Sequence, residues 1–288
     1  MRLEAFAKIN WSLDITGIRE DGYHLMDMVM QPVSVADEIT LLPSREMKIT
    51  TSGTPRSRAD DTNLAIRAAR ALQQAAGVSS CVSVHVHKRI PMGAGMGGGS
   101  ADAAAVLYGL NHLWNTGFSS QELEKIGLTL GADVPFCLRG GLTRTTGIGE
   151  IMENHFCKSN YWLLVFQPCR GLSTREIFTD WLMSETVHPD TPGVLKALET
   201  GNPDLLGESI GNVLEPVSAR RCPEIQEAKD SLMLAGARAA SMTGSGSAVF
   251  GLFRSRTDAE KASAALSRRW KNIFVCHTQS DSIRILEE

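Results

Sequence analysis

The sequence predicts an α+β protein in two halves, and three observations carry that expectation. Residues 81–113 run from an alternating stretch through a glycine-rich loop into a helical pattern. Ahead of them, Arg2 to Ile15 alternates for its whole length, and Gln31 to Leu42 reads as a second strand region, so an N-terminal sheet is expected. From Pro223 the order becomes helix to Leu234, strand Arg238 to Met242, a turn, strand Ala248 to Phe253, helix Asp258 to Trp270 and strand Ile273 to Cys276. That order suggests a split layer with helices on one side of an antiparallel sheet.

The first strand carries Leu3, Ala5, Ala7, Ile9, Trp11, Leu13 and Ile15 on one parity, and reads as one strand or as two broken near Lys8-Ile9-Asn10. Lys8 and Asn10 lie on the polar parity, where a lysine is ordinarily solvated. Asp21-Gly22 is a turn dipeptide. Tyr23 and His24 follow it, an aromatic face and a hydrogen-bonding ring suited to stacking on a base and reading its edge, or else a packed tyrosine beside an exposed histidine. Residues 43–59 are polar and turn-rich. Asp60 to Asn63 then cap a helix carrying Leu64, Ala65, Ala68, Ala69, Leu72 and Ala75, closed by Gly77.

Val82, Val84 and Val86 alternate with Ser83, His85 and His87, the period of a half-buried strand. Next comes Pro91-Met92-Gly93-Ala94-Gly95-Met96-Gly97-Gly98-Gly99-Ser100-Ala101, followed by Ala103, Val106, Leu107, Leu110 and Leu113 at helical spacing. Ser100 stands where an N-cap is expected. Glycines permit positive φ and close approach, so consecutive N–H groups can converge beside a helix N-terminus, making an anion cradle suited to phosphate. The P-loop pattern fails for want of a lysine, and Gly93, Gly95 and Gly98 meet G-x-G-x-x-G only nominally. A linker or tight turn is the plain alternative.

Ser119 and Glu122 have capping-box spacing and open a helix through Leu130. Asp133, between glycine and a proline, is expected in a loop entering a strand, and locally it could be a cap or turn residue. Residues 140–150 read as a glycine-rich turn region and are taken as the junction between halves of residues 1–150 and 151–288. Tyr161 to Phe166 reads as a buried strand. Ser173 and Glu176 have capping-box spacing ahead of a helix with Ile177, Phe178, Trp181 and Leu182. Residues 191–217 hold short helices, and Ser282 to Leu286 is a last strand that could return to the first half.

Composition narrows the classes. The chain has 288 residues, 43% hydrophobic and 21% charged, with a formal net charge of −3, so neither nucleic acid nor an anionic membrane is an indicated partner. Cysteines at 81, 137, 157, 169, 222 and 276 form no C-x-x-C pair, and reduced thiols are expected. His85 and His87 share a strand face without a third ligand, so no metal-binding residue is assigned. Met1 to Asn10 has neither a signal nor a transit pattern, and no apolar run nears a membrane span, which points to the cytoplasm.

The stretch Pro91 to Ala104 resembles the second motif of the GHMP kinases, the superfamily named for galactokinase, homoserine kinase, mevalonate kinase and phosphomevalonate kinase. Ala7-Lys8-Ile9-Asn10, Thr16-Gly17 and Asp21-Gly22-Tyr23-His24 are similar to the first motif of one branch. Leu130 to Pro135 matches its L-G-A-D-V-P string, Thr174 and Phe178 its T-x-x-x-F, and Met242 to Gly246 the third superfamily motif. Ala94 and Met96 stand where relatives often have glycine and leucine. The resemblance implies a two-domain fold, an N-terminal mixed sheet with helices and a glycine-rich phosphate loop, then a C-terminal ferredoxin-like α+β domain.

It also implies an ATP-dependent small-molecule kinase acting on the 2-hydroxyl of a cytidine diphosphate polyol in isoprenoid synthesis. Asp133 would be the catalytic base and Lys8 the charge beside it. Residues Pro91 to Ala101 would hold ATP, with Mg²⁺ bridging phosphates. Asn10, Tyr23, His24, Thr174 and Phe178 would meet the acceptor. A monomer or weak homodimer is expected. Two alternatives remain: another GHMP kinase, which would not need Tyr23-His24 or Thr174 and Phe178, and a silent nucleotide sensor, which would be expected to lose Lys8 or Asp133.

Overall fold

The computed structural model describes residues 1–54, 57–181 and 187–288. The N-terminal strand is unbroken: β1 (Arg2–Ile18) pairs antiparallel with β2 (His24–Ser44), and their hairpin turn carries Asp21-Gly22. Register irregularities at Phe6/Lys8 and Asn10/Ser12 bracket the lysine and the asparagine. Their effect shows in packing. Leu3, Ala5, Leu13 and Ile15 belong to the core shared with the helices, whereas Ala7, Ile9 and Trp11 pack in a second core beside Leu163, Val165 and Phe250. Bulges re-aim side chains in this way, and here they set Lys8 and Asn10 apart from the rest of their strand.

The expected polar stretch at 43–59 contains a strand, β3 (Lys48–Gly53), parallel to β4 (Cys81–Lys88); residues 55 and 56 lie outside the described residues. Helix α1 (Leu64–Ala76) begins at Asn63, whose side chain accepts the Ala65 N–H, and ends at Gly77 in the left-handed region. Helix α2 (Gly98–Leu113) starts two residues earlier than the N-cap expected at Ser100. Its cap is Gly97, at φ 70°, and Ser100 falls within its first turn. After α2, α3 (Ser120–Leu128) carries the complete capping box of Ser119 and Glu122.

Two further expectations are corrected. Asp133 does not enter a strand but is the N-cap of a short helix, α4 (Val134–Arg139). Pro135 fits the first turn because its missing N–H would have had no helical partner there. The glycine-rich stretch at 140–150 is largely strand: β5 (Leu142–Gly147) pairs with β2 and with β6 (Ile151–His155). Buried Leu142, Thr143 and Thr145 explain this, since β-branched residues suit a half-buried pleat.

The first sheet runs β12-β1-β2-β4-β3 with β5 and β6 joined through β2, and is mixed. Its edge strand β12 (Ile283–Glu287) lies antiparallel to β1, while β8 (Gly211–Asn212) is parallel to β1. The second sheet is antiparallel, in the order β11 (Phe274–His277), β7 (Trp162–Phe166), β10 (Val249–Phe253), β9 (Ala239–Met242). In chain order that is 4-1-3-2, the ferredoxin-like arrangement. Helix α5 (Thr174–Asp180) follows β7, and the expected helical position Leu182 lies outside the described residues. Helices α6 (Thr191–Thr200), α7 (Pro203–Ser209), α8 (Glu215–Arg221) and α9 (Glu224–Leu234) precede β9, and α10 (Arg256–Leu266) precedes β11.

Reduced cysteines were expected throughout, yet Cys169 and Cys222 are joined in a disulfide. Tertiary folding brings their Cα atoms to 6.7 Å across a sequence separation of 53, which no local spacing reveals. No helix among the described residues is long and apolar enough to cross a membrane.

Candidate active site

The glycine loop between β4 and α2 is held by its own carbonyls. Met96 accepts the Lys8 N–H at 3.0 Å, Ala94 accepts the Ala248 N–H at 3.1 Å, and Gly93 accepts the Leu172 N–H at 3.3 Å. Ala94 and Met96, the two departures from the common motif, are 1% exposed and serve as apolar anchors in the second core. With carbonyls turned to the scaffold and α2 opening at Gly98, the first-turn N–H groups and the positive helix end are left for an anion.

Lys8 is buried at 4% exposure. Its Nζ donates to Asn10 Oδ1 at 2.6 Å and lies 3.9 Å from Asp133 Oδ2. The Asp133 side chain is 38% exposed and makes no cap hydrogen bond with its helix. An oxygen atom could therefore sit at hydrogen-bond length from both groups at once. Asn10 is a hub: its Oδ1 also accepts the Gly244 N–H at 3.0 Å, and its own N–H donates to Thr243 Oγ1 at 3.0 Å. The third glycine turn is thus fastened to the first strand, over the second.

A cavity of about 1080 Å³ unites these parts. Lys8, Asn10, Tyr23, His24, Asp133, Thr174, Phe178 and the loop from Pro91 to Ser100 all line it. Ala101 does not: it is buried at 1%, and its N–H is engaged by the Gly97 carbonyl at 2.8 Å. The His24 ring meets Phe178 and Trp181 edge to face, with centroids 5.2 and 5.6 Å apart. Burial holds the His24 imidazole below its ordinary pKa. Tyr23 is 58% exposed, and the Arg19 guanidinium lies 5.4 Å from its ring centre.

One contributor, Asn212, carries no recognised signal in the sequence. Asn212 donates to the carbonyls of Met242 and Gly244 and fixes the third turn from β8. Ser245 shares a hydrogen bond of 2.8 Å with Thr174. Both ring nitrogens of His85 are taken, by Thr50 and Ser52, and Nδ1 of His87 is taken by Ser52. Among the described residues the one grouping of three potential metal ligands is Cys169, Cys222 and Glu224, and its two sulfurs are bonded to each other.

The fold and this site define a GHMP kinase. Residues 63–141 match the GHMP kinases N terminal domain and residues 194–272 match GHMP kinases C terminal. The chain is 41% identical over 274 residues to the 4-diphosphocytidyl-2-C-methyl-D-erythritol kinase of Prosthecochloris aestuarii, covering 94% of this chain and 96% of that protein. It is 36% identical to the kinase of the same name from Clostridium tetani, covering 96% and 100%. A crystal structure of 4-(cytidine 5'-diphospho)-2C-methyl-D-erythritol kinase superposes with a TM-score of 0.83 at 33% identity, covering 97% of this chain and 100% of that one. Homoserine kinase from Cytophaga hutchinsonii shares the fold, with a TM-score of 0.80 at 18% identity over 99% and 97% of the two chains. The chain belongs to the 4-diphosphocytidyl-2-C-methyl-D-erythritol kinase family.

Proposed function

We propose that this protein transfers the γ-phosphoryl group of ATP to the 2-hydroxyl of 4-diphosphocytidyl-2-C-methyl-D-erythritol, giving the 2-phosphate and ADP in the non-mevalonate route to isopentenyl diphosphate. The observation that carries the reading is the pair Lys8 and Asp133, 3.9 Å apart in the cavity that the glycine loop also lines. The acceptor hydroxyl sits between them. As its oxygen attacks the γ-phosphorus and the bond to ADP breaks, its proton passes to Asp133, while Lys8 orients the oxygen and offsets developing negative charge.

Residues 1–150 then carry the phosphate loop and both reacting groups, and residues 151–288 close the acceptor side through Thr174, Phe178 and Ser245. The aromatic end supports recognition of cytosine by Tyr23 and His24, and Asn10 holds Lys8 in place. Ser100 supplies a hard oxygen donor in the cavity wall beside the loop, the ligand type Mg²⁺ takes next to substrate phosphates. Bound there, the ion would neutralise phosphate charge. The same reading puts the enzyme in the cytoplasm as a monomer or weak homodimer; the net charge of −3 supports small molecules over polyanions as partners.

The test is ATP- and Mg²⁺-dependent phosphorylation of the cytidine-bearing substrate beside the polyol phosphate that lacks the cytidylyl group. Turnover of the first alone supports both the reaction and the base-reading end. Equal turnover of both removes Tyr23 and His24 from substrate choice.

A further inference from the structure

Beneath the glycine loop lies a buried charge cluster that the proposed reaction does not use. The Lys88 side chain, 3% exposed at the end of β4, donates to Asp102 Oδ2 in α2 at 2.7 Å and is ion-paired with Asp37 of β2. Asp37 is fully buried, and its other oxygen accepts the N–H groups of Arg89 at 2.5 Å and Ile90 at 2.9 Å. Those two residues lead into the loop, and Asp102 lies just beyond it. Both ends of the phosphate loop are therefore tied through one ammonium to one strand.

Two further observations bear on its role. A Cβ built at Gly98, the first residue of α2, would come 3.4 Å from Lys88 Nζ, so the ammonium sits directly under the helix start. Asp102 Oδ1 is buried without a hydrogen-bond partner among the described residues, and Asp102 forms part of the cavity wall. Fully ionised, the cluster would carry two negative charges and one positive beside a loop that must hold a polyanion. Burial, aided by Asp37, pushes the Asp102 carboxyl up to about 8 against the pull of Lys88. Burial works against the Lys88 ammonium, but the charges and hydrogen bonds of Asp102 and Asp37 outweigh it and raise its pKa. Charged and titratable groups facing Asp102 are Lys88 from β4, Asp37 from β2 and, from α4, the Cys137 thiol, itself raised chiefly by burial.

We infer that Lys88 and Asp102 are positioning residues for the ATP phosphates: with Asp37 they fix β4 against α2 so that the loop amides converge. The inference rests on the reading of the loop as the ATP site. A wild-type protein that binds no ATP would count against that reading; the variants below test the cluster itself.

The experiment measures the ATP dissociation constant, the KM of both substrates, kcat and the melting temperature for wild type, Asp102→Asn, Asp102→Leu and Lys88→Met. The Leu and Met variants are expected to weaken ATP binding by about tenfold or more, while the KM for the cytidine-bearing substrate moves by less than about threefold. Asp102→Asn, which keeps the acceptor that faces Lys88, should bind ATP about tenfold more tightly than Asp102→Leu. Should Lys88→Met fail to fold, the Asn and Leu pair decides. An Asn variant as weak as Leu overturns the positioning role of the Lys88 to Asp102 hydrogen bond. Leu and Met variants that melt earlier yet bind ATP like wild type reduce the cluster to scaffold and overturn the inference.

Discussion

Gly95 and Thr243, far apart in sequence, meet so closely that a Cβ on Gly95 would lie 2.0 Å from the Thr243 carbonyl oxygen. Gly95 also holds φ at +75°, in the left-handed region. The second and third glycine motifs therefore interlock through bare backbone. Gly95→Ala must shift that carbonyl as well as bear the left-handed cost, so a loss of at least about 3 kcal/mol is expected. Gly77→Ala, also at positive φ but with nothing within 4 Å, should cost only about 1 kcal/mol. Chemical denaturation of both variants makes the comparison, and equal losses would remove the interlock as the cause.

Asp133→Asn keeps the shape beside Lys8 and removes the proposed proton acceptor. Turnover should fall by about 10²-fold or more, the range for loss of a general base, while ATP binding measured by calorimetry stays close to wild type. Turnover near wild type would exclude Asp133 as the base.

The His24 ring, packed against Phe178 and Trp181, has its pKa lowered from 6.5 by burial. It is neutral at pH 7, with one nitrogen to donate and one to accept. The KM for the cytidine-bearing substrate should therefore stay flat down to about pH 6.5 and rise below it as the imidazolium forms. Stability follows the same sign. Between the folded pKa and 6.5 the unfolded chain binds more protons, so this contribution is complete above 6.5 and is lost as pH falls through that window. Melting curves of wild type and His24→Gln across that range check it; identical acid dependence in the two would exclude His24 as the source.

The disulfide joins the segment after β7, which packs on Gly93, to the end of α8. Thiol titration in denaturant should count four free cysteines, 81, 137, 157 and 276, and six after reduction. Denaturant is required because burial pushes the Cys276 thiol up to about 12 and raises Cys137 further. Reduction should cost about 2–4 kcal/mol of stability, since the closed loop is long. Six free thiols before reduction would contradict the bond.

Local chemistry made much of this architecture legible. The alternation of Val82, Val84 and Val86, the Ser119 to Glu122 capping box and Gly77 at a helix end each act within a few residues, and the structure contains each. The strand expected after Asp133 comes from its proline, which favours an extended chain just before it, whereas a proline at the start of a helix gives up no hydrogen bond. A clue to the buried cluster was present: Asp102 stands alone in a run of alanines on a helix that is buried almost throughout. A carboxylate there requires a partner, but its identity, Lys88, depends on how β4 lies under α2.

By itself, the sequence determined which residue types stand at which spacing: the strand, glycine loop and helix of the proposed phosphate site, and the lysine and aspartate proposed to flank the acceptor. Tertiary structure alone decided what meets what. The register irregularities of β1 turn Lys8 and Asn10 towards the site, Asn10 joins the first motif to the third, and Lys88 with two carboxylates supports the loop from below. Those contacts span tens to hundreds of residues, and they exist only after burial has removed the water that would otherwise satisfy each group.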